Sequence, residues 1–580
     1  MSGTSGTSGT SKTTLARRNR QKHPETRPAT LQRLLALVKG FWGTPGVRGL
    51  LGAGAALEAF LLALWVIIPA ASVSLSVSPL ARVWPWLLAP ARFILGDTLA
   101  ETSLPPGNGL LALFALGTAL VGASCAAVIA LRIAPRVALS RRRMLALALG
   151  ATVIFGLTLV LLPSLPSDDI FSYILYGRIS AVHGANPLIS TPADFRNDPF
   201  LTLVFWRDVR SVYGPAWLLL SAALSVVAQA LGGGLAVYVA LFKVLSFGAH
   251  LANAWLIWRI LGRLAPSRQL QGTLLYAWNP LCLLEFCASG HNDAVMLTLL
   301  LLAVYCLTRE SESRGWELAA LVCLGLSISV KYVPVVLLPL YLALVAWRLY
   351  HAGAPWPRVG VAVVWRAGVV GLVFALTAVP FWAGPATLGA LLLSPPAQQL
   401  GNSPAEAISW PLRALAQAVG LSADAARNLV DTGLKALGLL VFAALWLWEF
   451  RRARTLEGML TAWGWTLLWY VLVASGWFWP WYVTWAVAIV ALTPWRLLAQ
   501  VTTLLAAGVL TLYTFQSLYA LGIYGYRSLV AFGPALVVLA LALARRLGWL
   551  DWPGEWAVAR SEQDEQGGRE VGQLTEQAPE

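Results

Sequence analysis

"GPAWLLLSAALSVVAQALGGG", residues 214–234, is an apolar run as long as a membrane span, and whether it crosses decides the side on which every later loop lies. A transmembrane helix needs about 20 mainly apolar residues, and arginine-rich loops are retained in the cytoplasm. Upstream, "LRIAPRVALSRRR" (131–143) holds five arginines and no acid, whereas residues 166–214 hold four arginines and five aspartates. The first is therefore placed inside and the second outside. Counting 214–234 as a span would then expel the later clusters "RILGRLAPSR" (259–268), "RESESRG" (309–315), "RLYHAGAPWPR" (348–358), "EFRRARTLEG" (449–458) and "ARRLGW" (544–549). It is read instead as a helix that lies at the outer interface or re-enters, ending at the glycine hinge Gly232–Gly234. With it set aside, about fourteen spans alternate and both termini are cytoplasmic.

The composition agrees. The chain has 580 residues, 58% hydrophobic and 12% charged, with a mean hydropathy of +0.67, too apolar for a set of soluble domains. The apolar runs are continuous rather than alternating, which excludes a β-barrel and predicts an all-α, polytopic membrane protein of the plasma membrane. Residues 1–40, Ser/Thr/Gly-rich and then basic, and the polar residues 551–580 are expected to be disordered cytoplasmic tails. Residues 41–550 form a single membrane domain, with outer loops at 166–214, 384–431 and "SGWFWPWYVTW" (475–485). The net charge of +15 is explained by the retained arginine loops, so nucleic acid is not expected as a partner. The cysteines Cys125, Cys282, Cys287, Cys306 and Cys323 fall in or at the ends of apolar runs and read as packing residues. Neither a P-loop nor an "HExxH" or "CxxC" motif occurs, and no segment is large enough for a soluble nucleotide-binding domain. An enzyme built this way must take its activated substrate from lipid or from outside. No cofactor is called for, and a divalent cation held by Asp168, Asp169 and Asp293 is left open by the spacing.

The titratable chemistry concentrates in "PSLPSDDIFSYILYGRISAVHGANPL" (163–188). After Pro166 and Ser167, the residues Asp169, Tyr173, Tyr176, Ser180 and His183 follow at helical spacing and share one face. Ile170, Ile174 and Val182 fall elsewhere and are expected to sink into the bilayer boundary. Two readings stand for Ser167 and the acids: a helix cap with charges that complement the helix dipole, worth about 0.3–1 kcal/mol each, or a functional site. A second cluster is "EFCASGHND", with Glu285 in the outer half of a span and His291, Asn292 and Asp293 emerging outside, either as caps of the next span or as a site. Lys331 in "SISVKYVPVVLL" either snorkels to lipid phosphate or binds a substrate phosphate. Glu58, Lys243 and His250 lie within spans and read as structural ties between helices.

In order along the chain, "DIFSY" from Asp169, "HGANP" from His183, "VYGP" from Val212, "NPLCLLEFCASGHND", "KYVP" and "WPWYVTW" resemble the pattern of the GT-C class of integral membrane glycosyltransferases. The closest likeness is to bacterial polyprenyl-phosphate-mannose-dependent α-(1→6)-mannosyltransferases, over about residues 160–490. The doubled acid departs from that pattern, and the spacing to Phe171 and Tyr173 favours Asp169 over Asp168 as the catalytic match.

The resemblance implies transfer of a sugar, mannose in the family, from a polyprenyl-phosphate donor to a glycan or glycolipid acceptor at the extracytoplasmic face, with inversion. Asp169, or Asp168, then serves as base. Lys331, Arg178 and His291 hold the donor phosphate. Substrate contacts fall to His183, Tyr173, Tyr176, Tyr213, Asn292, Asp293, Glu285, Trp479, Trp481 and Tyr482, with Trp477 beside them. For these aromatics an interfacial belt in membrane lipid is the competing reading. The rival for the whole chain is a lipid or ion transporter or flippase. It is disfavoured because the acids gather at one surface and no internal repeat is evident.

Overall fold

The computed structural model describes residues 43–71, 79–95, 106–387, 399–515 and 524–547. The expected tails, 1–40 and 551–580, lie outside them, as do residues 388–398 of the expected second outer loop. Within the described residues the chain is helical and contains only two isolated β-bridges. It is an all-α, multi-pass membrane protein.

The first helices are α1 (Val47–Ala71), α2 (Pro106–Ile133), α3 (Arg141–Val160), α4 (Asp169–Ala181), α5 (Pro215–Ala230) and α6 (Leu235–Leu264). Next come α7 (Gln269–Ala277), α8 (Asp293–Leu307), α9 (Arg314–Val330), α10 (Leu338–His351) and α11 (Trp356–Ala378). The last are α12 (Pro404–Ala418), α13 (Ala423–Glu449), α14 (Leu456–Trp469), α15 (Val483–Val490), α16 (Arg496–Val509) and α17 (Arg527–Arg546).

Among the described residues, nine helices are long and apolar enough to cross a membrane, or ten when the bent pair Pro280–Ala288 and Asp293–Leu307 is taken as one span. That is fewer than the roughly fourteen expected, because several of the expected spans are short pieces. Helix α9 has 17 residues, and α14 has 14 before its ladder passes into a π turn at Tyr470–Ala474. At 1.5 Å per residue such pieces fall below the roughly 30 Å of a bilayer core.

Helix α5 is the stretch on which the threading turned. Its 16 residues reach only about 24 Å, and it stops at Gly232 and Gly233, whose φ values are +99° and +66°. Only glycine adopts such angles freely. The helix packs tightly on α4, because at Gly177 a Cβ would sit 2.4 Å from the carbonyl oxygen of Ser221. Helix α4 is consequently covered over residues 170–179: Ile170 and Ile174, expected at the lipid boundary, are wholly buried, and of the three apolar residues expected there only Val182, past the helix end, is exposed. That correction has a simple cause. A helix covered by α5 and α6 needs apolar residues all round.

The intramembrane polar groups act as ties. Glu58 on α1 accepts from the Thr158 hydroxyl on α3. Lys243 on α6 donates to the carbonyl of Val160 at 2.9 Å, and His250, a little further along, lies 3.2 Å from the carbonyl of Ala277. The cysteines are unbridged; Cys282, Cys287 and Cys306 are buried, Cys323 is half-buried and Cys125 is exposed on α2.

Candidate active site

The site is built where the chain breaks its own helices. Asn279 caps the short helix Pro280–Leu283 by accepting from the Leu281 amide at 3.0 Å, and the ladder then widens into a π turn at Leu284–Ala288. Gly290, at φ +75°, reverses the backbone before α8 departs at 117° to the preceding segment. The π turn and the reversal present Glu285, His291, Asn292 and Asp293 together, all wholly buried. Such local departures from α geometry concentrate at functional sites.

Around this apex three other segments converge. From α4, the Tyr173 hydroxyl lies 3.1 Å from His291 Nδ1, and Asp169 Oδ2 lies 4.0 Å from the same nitrogen. Glu285 Oε2 lies 3.2 Å from His291 Nε2 on the other side. From the end of α9, Lys331 Nζ pairs with Asp293 Oδ1 at 2.8 Å. From the aromatic segment before α15, Trp481 stacks on His291 with ring centroids 4.1 Å apart, and Trp479 lies parallel to Trp481 at 5.3 Å. Trp485 Nε1 donates to Asp293 Oδ1 at 2.5 Å, and Lys331 Nζ sits 5.3 Å from the ring centroids of both Tyr482 and Trp485.

The "YGP" turn carries its own reason. Gly214 donates its amide to the Val330 carbonyl at 3.1 Å, and a Cβ there would lie 2.1 Å from the Ser329 oxygen. Only glycine lets this turn dock beside Lys331, and it brings the Tyr213 hydroxyl to 3.4 Å from Asp169 Oδ2.

The cluster is graded in accessibility. The side chains of Glu285, His291 and Asp293 are 0% exposed, while those of Asp169 and Lys331 retain 17% and 14%. Burial pushes the Asp169 carboxyl above its usual range, with His291 and Lys331 pulling it part of the way back. Glu285 Oε2, His291 Nε2, Asn292 Nδ2 and Asp293 Oδ2 are buried without an aligned hydrogen-bond partner. Unpaired polar atoms of this kind cost about 1–3 kcal/mol each and mark sites with work to do. Among the described residues no group of three or more His, Cys, Asp or Glu is arranged to hold a metal ion.

Two residues expected here are elsewhere. Arg178 donates from Nε to Asp198 Oδ2 at 2.9 Å and from Nη1 to the Tyr238 hydroxyl at 3.0 Å. His183, just past the end of α4, lies 2.8 Å from that same Asp198 oxygen and stacks on Phe195. Together they staple the outer loop, and their polar groups are committed there. Burial would raise the Asp198 carboxyl, but hydrogen bonds from His183, the Phe200 amide and Arg178 hold it below the usual range. Tyr176 donates to the Val209 carbonyl at 2.8 Å and fixes the same loop. Asp168 is the N-cap residue of α4, and its carbonyl accepts from the Phe171 amide at 3.0 Å. Two residues of the cluster escaped notice in the sequence: Trp485, which stood in a quoted motif, and Tyr513, which donates to Glu285 Oε1 at 2.5 Å from an apolar run without any signal.

Residues 60–348 match the family model described as alpha-(1->6)-mannopyranosyltransferase, N-terminal domain. Over this region the chain belongs to that family. The protein is thus a mannosyltransferase of the GT-C type, a glycosyltransferase working with mannose in a membrane. No curated protein matches the chain. The matched stretch of this mannosyltransferase contains Asp169, Glu285, His291, Asp293 and Lys331, whereas Trp479, Trp481, Tyr482, Trp485 and Tyr513 lie beyond its end.

Proposed function

We propose that this mannosyltransferase moves mannose from a polyprenyl-phosphate donor to a glycan or glycolipid acceptor at the extracytoplasmic face, inverting the anomeric centre. The observation that carries the reading is the accessible pair at the edge of the buried cluster. Asp169 is a carboxylate with a raised proton affinity and an open side, while Glu285 and Asp293 are enclosed and already bonded to Tyr513 and to Lys331 and Trp485. A general base needs that combination of reach and basicity.

Asp169 takes the proton of the acceptor hydroxyl as its oxygen bonds to the anomeric carbon. The bond from that carbon to the phosphate oxygen breaks, and polyprenyl phosphate leaves with the electron pair. The negative charge growing on that oxygen is met by the Lys331 ammonium and by His291, which Glu285 and Trp481 hold in place. Positive charge on the sugar ring, as in glycoside chemistry, develops beside Asp169. Trp479, half-buried and parallel to the buried Trp481 that stacks on His291, offers a flat face to the sugar. Arg178 drops out of the donor-phosphate set and His183 out of the substrate contacts, both being paired with Asp198. The charge asymmetry between the arginine-rich loops and the aspartate-bearing 166–214 loop supports this reading, in which the termini are cytoplasmic and the 166–214 loop is outside.

The test uses purified protein in nanodiscs with a panel of radiolabelled polyprenyl-phosphate sugars and lipid extract from the source cells. Mannose transfer by wild type is expected, with Asp169→Asn folded but slower by about 10²–10⁴-fold. Near-wild-type transfer by that variant would defeat the assignment of the base. Failure of wild type to consume any polyprenyl-phosphate donor would defeat the donor class.

A further inference from the structure

The aromatic segment that backs His291 is held from the far end of the chain. Residues 400–403 run alongside 476–478: the Gly401 amide donates to the Gly476 carbonyl at 2.9 Å, and the Phe478 amide donates to the Gly401 carbonyl at 2.8 Å. Ser403 Oγ donates to the Gly476 carbonyl at 2.9 Å and Asn402 Nδ2 to the Phe478 carbonyl at 3.1 Å. The fit allows no side chain at Gly401, where a Cβ would lie 2.9 Å from the Trp477 ring.

This brace is itself clamped. Asn402 sits at φ +55°, the only non-glycine residue with a positive φ among the described residues, and its amide donates to Glu406 Oε2 at 2.6 Å. Arg527, at the start of α17, donates from Nε to Asn402 Oδ1 at 2.7 Å and from Nη2 to Glu406 Oε2 at 2.9 Å. Arg527, Glu406 and Asn402 are all buried, and Phe478 packs on Phe532 of the same helix α17. A left-handed asparagine and a buried ion pair are both costly, and here both serve one piece of backbone. Two residues beyond Trp479, that backbone delivers Trp481 onto His291 at 4.1 Å.

We propose that Arg527 is a positioning residue for mannosyl transfer, acting through Asn402 and Glu406 on residues 476–482 and so on the stacking of Trp481 against His291. The Arg527 hydrogen bonds to Asn402 and Glu406 are made to residues not assigned to the substrate. The inference rests on the proposed function, in which His291 meets the departing phosphate.

The experiment removes the clamp without stranding a charge. In Arg527→Met with Glu406→Met both ionic partners go together, which spares the penalty of a buried unpaired carboxylate. Asn402→Gly is the second variant, since glycine accepts the left-handed backbone while losing both side-chain bonds. Each is assayed for melting temperature, hydrogen exchange at the 476–482 amides, and kcat and KM for the mannose donor, in wild-type and Trp481→Leu backgrounds. The expected result is near-wild-type melting, faster exchange confined to 476–482, and kcat down by about 10- to 100-fold with little change in KM. In the Trp481→Leu background the clamp variants should lower kcat no further. A purely structural role would instead add its loss equally in both backgrounds, and that additivity, or an unchanged exchange rate in active enzyme, would overturn the proposal. If wild type transfers no mannose while exchange at 476–482 still quickens, the functional reading fails and the mechanical link from Arg527 to the segment stands.

Discussion

His291 is gripped on one face and at both nitrogens: Trp481 lies on its ring with centroids 4.1 Å apart, and Glu285 and Asp169 lie 3.2 and 4.0 Å from its two nitrogens. A ring so held cannot turn without moving α4, the π turn or the aromatic segment. That rigidity is what a donor to a developing anion needs, because no reorganisation is left to do at the moment of transfer.

The pH dependence follows from Asp169. Its carboxyl is raised by burial, so it is protonated at pH values where an ordinary aspartate is already ionised. The base works only when ionised, so kcat/KM should climb with pH through an apparent pKa above the ordinary value of about 3.9. The stability sign is opposite. A raised carboxyl contributes stability that is full below its unfolded value and is lost as pH rises through the folded one. A rate profile that stays flat down to about pH 4 would remove Asp169 as the titrating base.

Lys331→Met should lower kcat and raise the donor KM, and it should also destabilise the protein by about 3–5 kcal/mol, because Asp293 is left buried and unpaired. The double variant Lys331→Met with Asp293→Asn separates the two effects. Thermal melting should recover while transfer stays lost. Recovery of transfer together with stability would show that Lys331 serves only to neutralise Asp293.

Gly214→Ala tests the docking of the "YGP" turn. The added methyl would lie 2.1 Å from the Ser329 oxygen, so the turn must lift from the end of α9, at a cost of about 1–3 kcal/mol typical of overpacking. Melting and activity should fall together, since the same turn carries Tyr213 and abuts Val330, the neighbour of Lys331. Normal values for both would mean that the contact yields easily.

Arg178→Met and Asp198→Asn should act on the outer loop rather than on donor binding. Because hydrogen bonds depress the Asp198 carboxyl, its ionised form stabilises the loop above its unfolded pKa, and that contribution is lost as pH falls through the folded value. Limited proteolysis within 182–210 should quicken for both variants, and for wild type in acid, with the donor KM little changed. A selective rise in donor KM for Arg178→Met would return that arginine to the phosphate site.

Local physics reaches a definite distance into this protein. The apolar runs made it an all-α membrane chain, because a backbone in lipid must satisfy its own hydrogen bonds. The period of α4, the proline signals around it, and the glycine stop after α5 were legible, since each depends on residues within a turn or two, although the N-cap of the helix is Asp168 rather than Ser167. So was the membership of Asp169, Tyr173, Glu285, His291, Asp293 and Lys331 in polar clusters, because ionisable groups beside apolar runs are costly and stand out.

What the sequence could not say was which clusters meet. Tyr513 reaches Glu285 across 228 residues, and Arg527 reaches Glu406 across 121; neither shows any pattern around it. Arg178 and His183 share a helix or its end with Asp169, yet they fall to Asp198, because a side chain's partner is set by what packs over it. Likewise Ile170 and Ile174 looked fit for lipid until α5 and α6 covered them. The sequence by itself determined the helices and the costly residues they carry. Only tertiary packing, which brings distant segments within a few ångströms, decided that Asp169 and Lys331 face the open side of one buried cluster and that the end of the chain braces it.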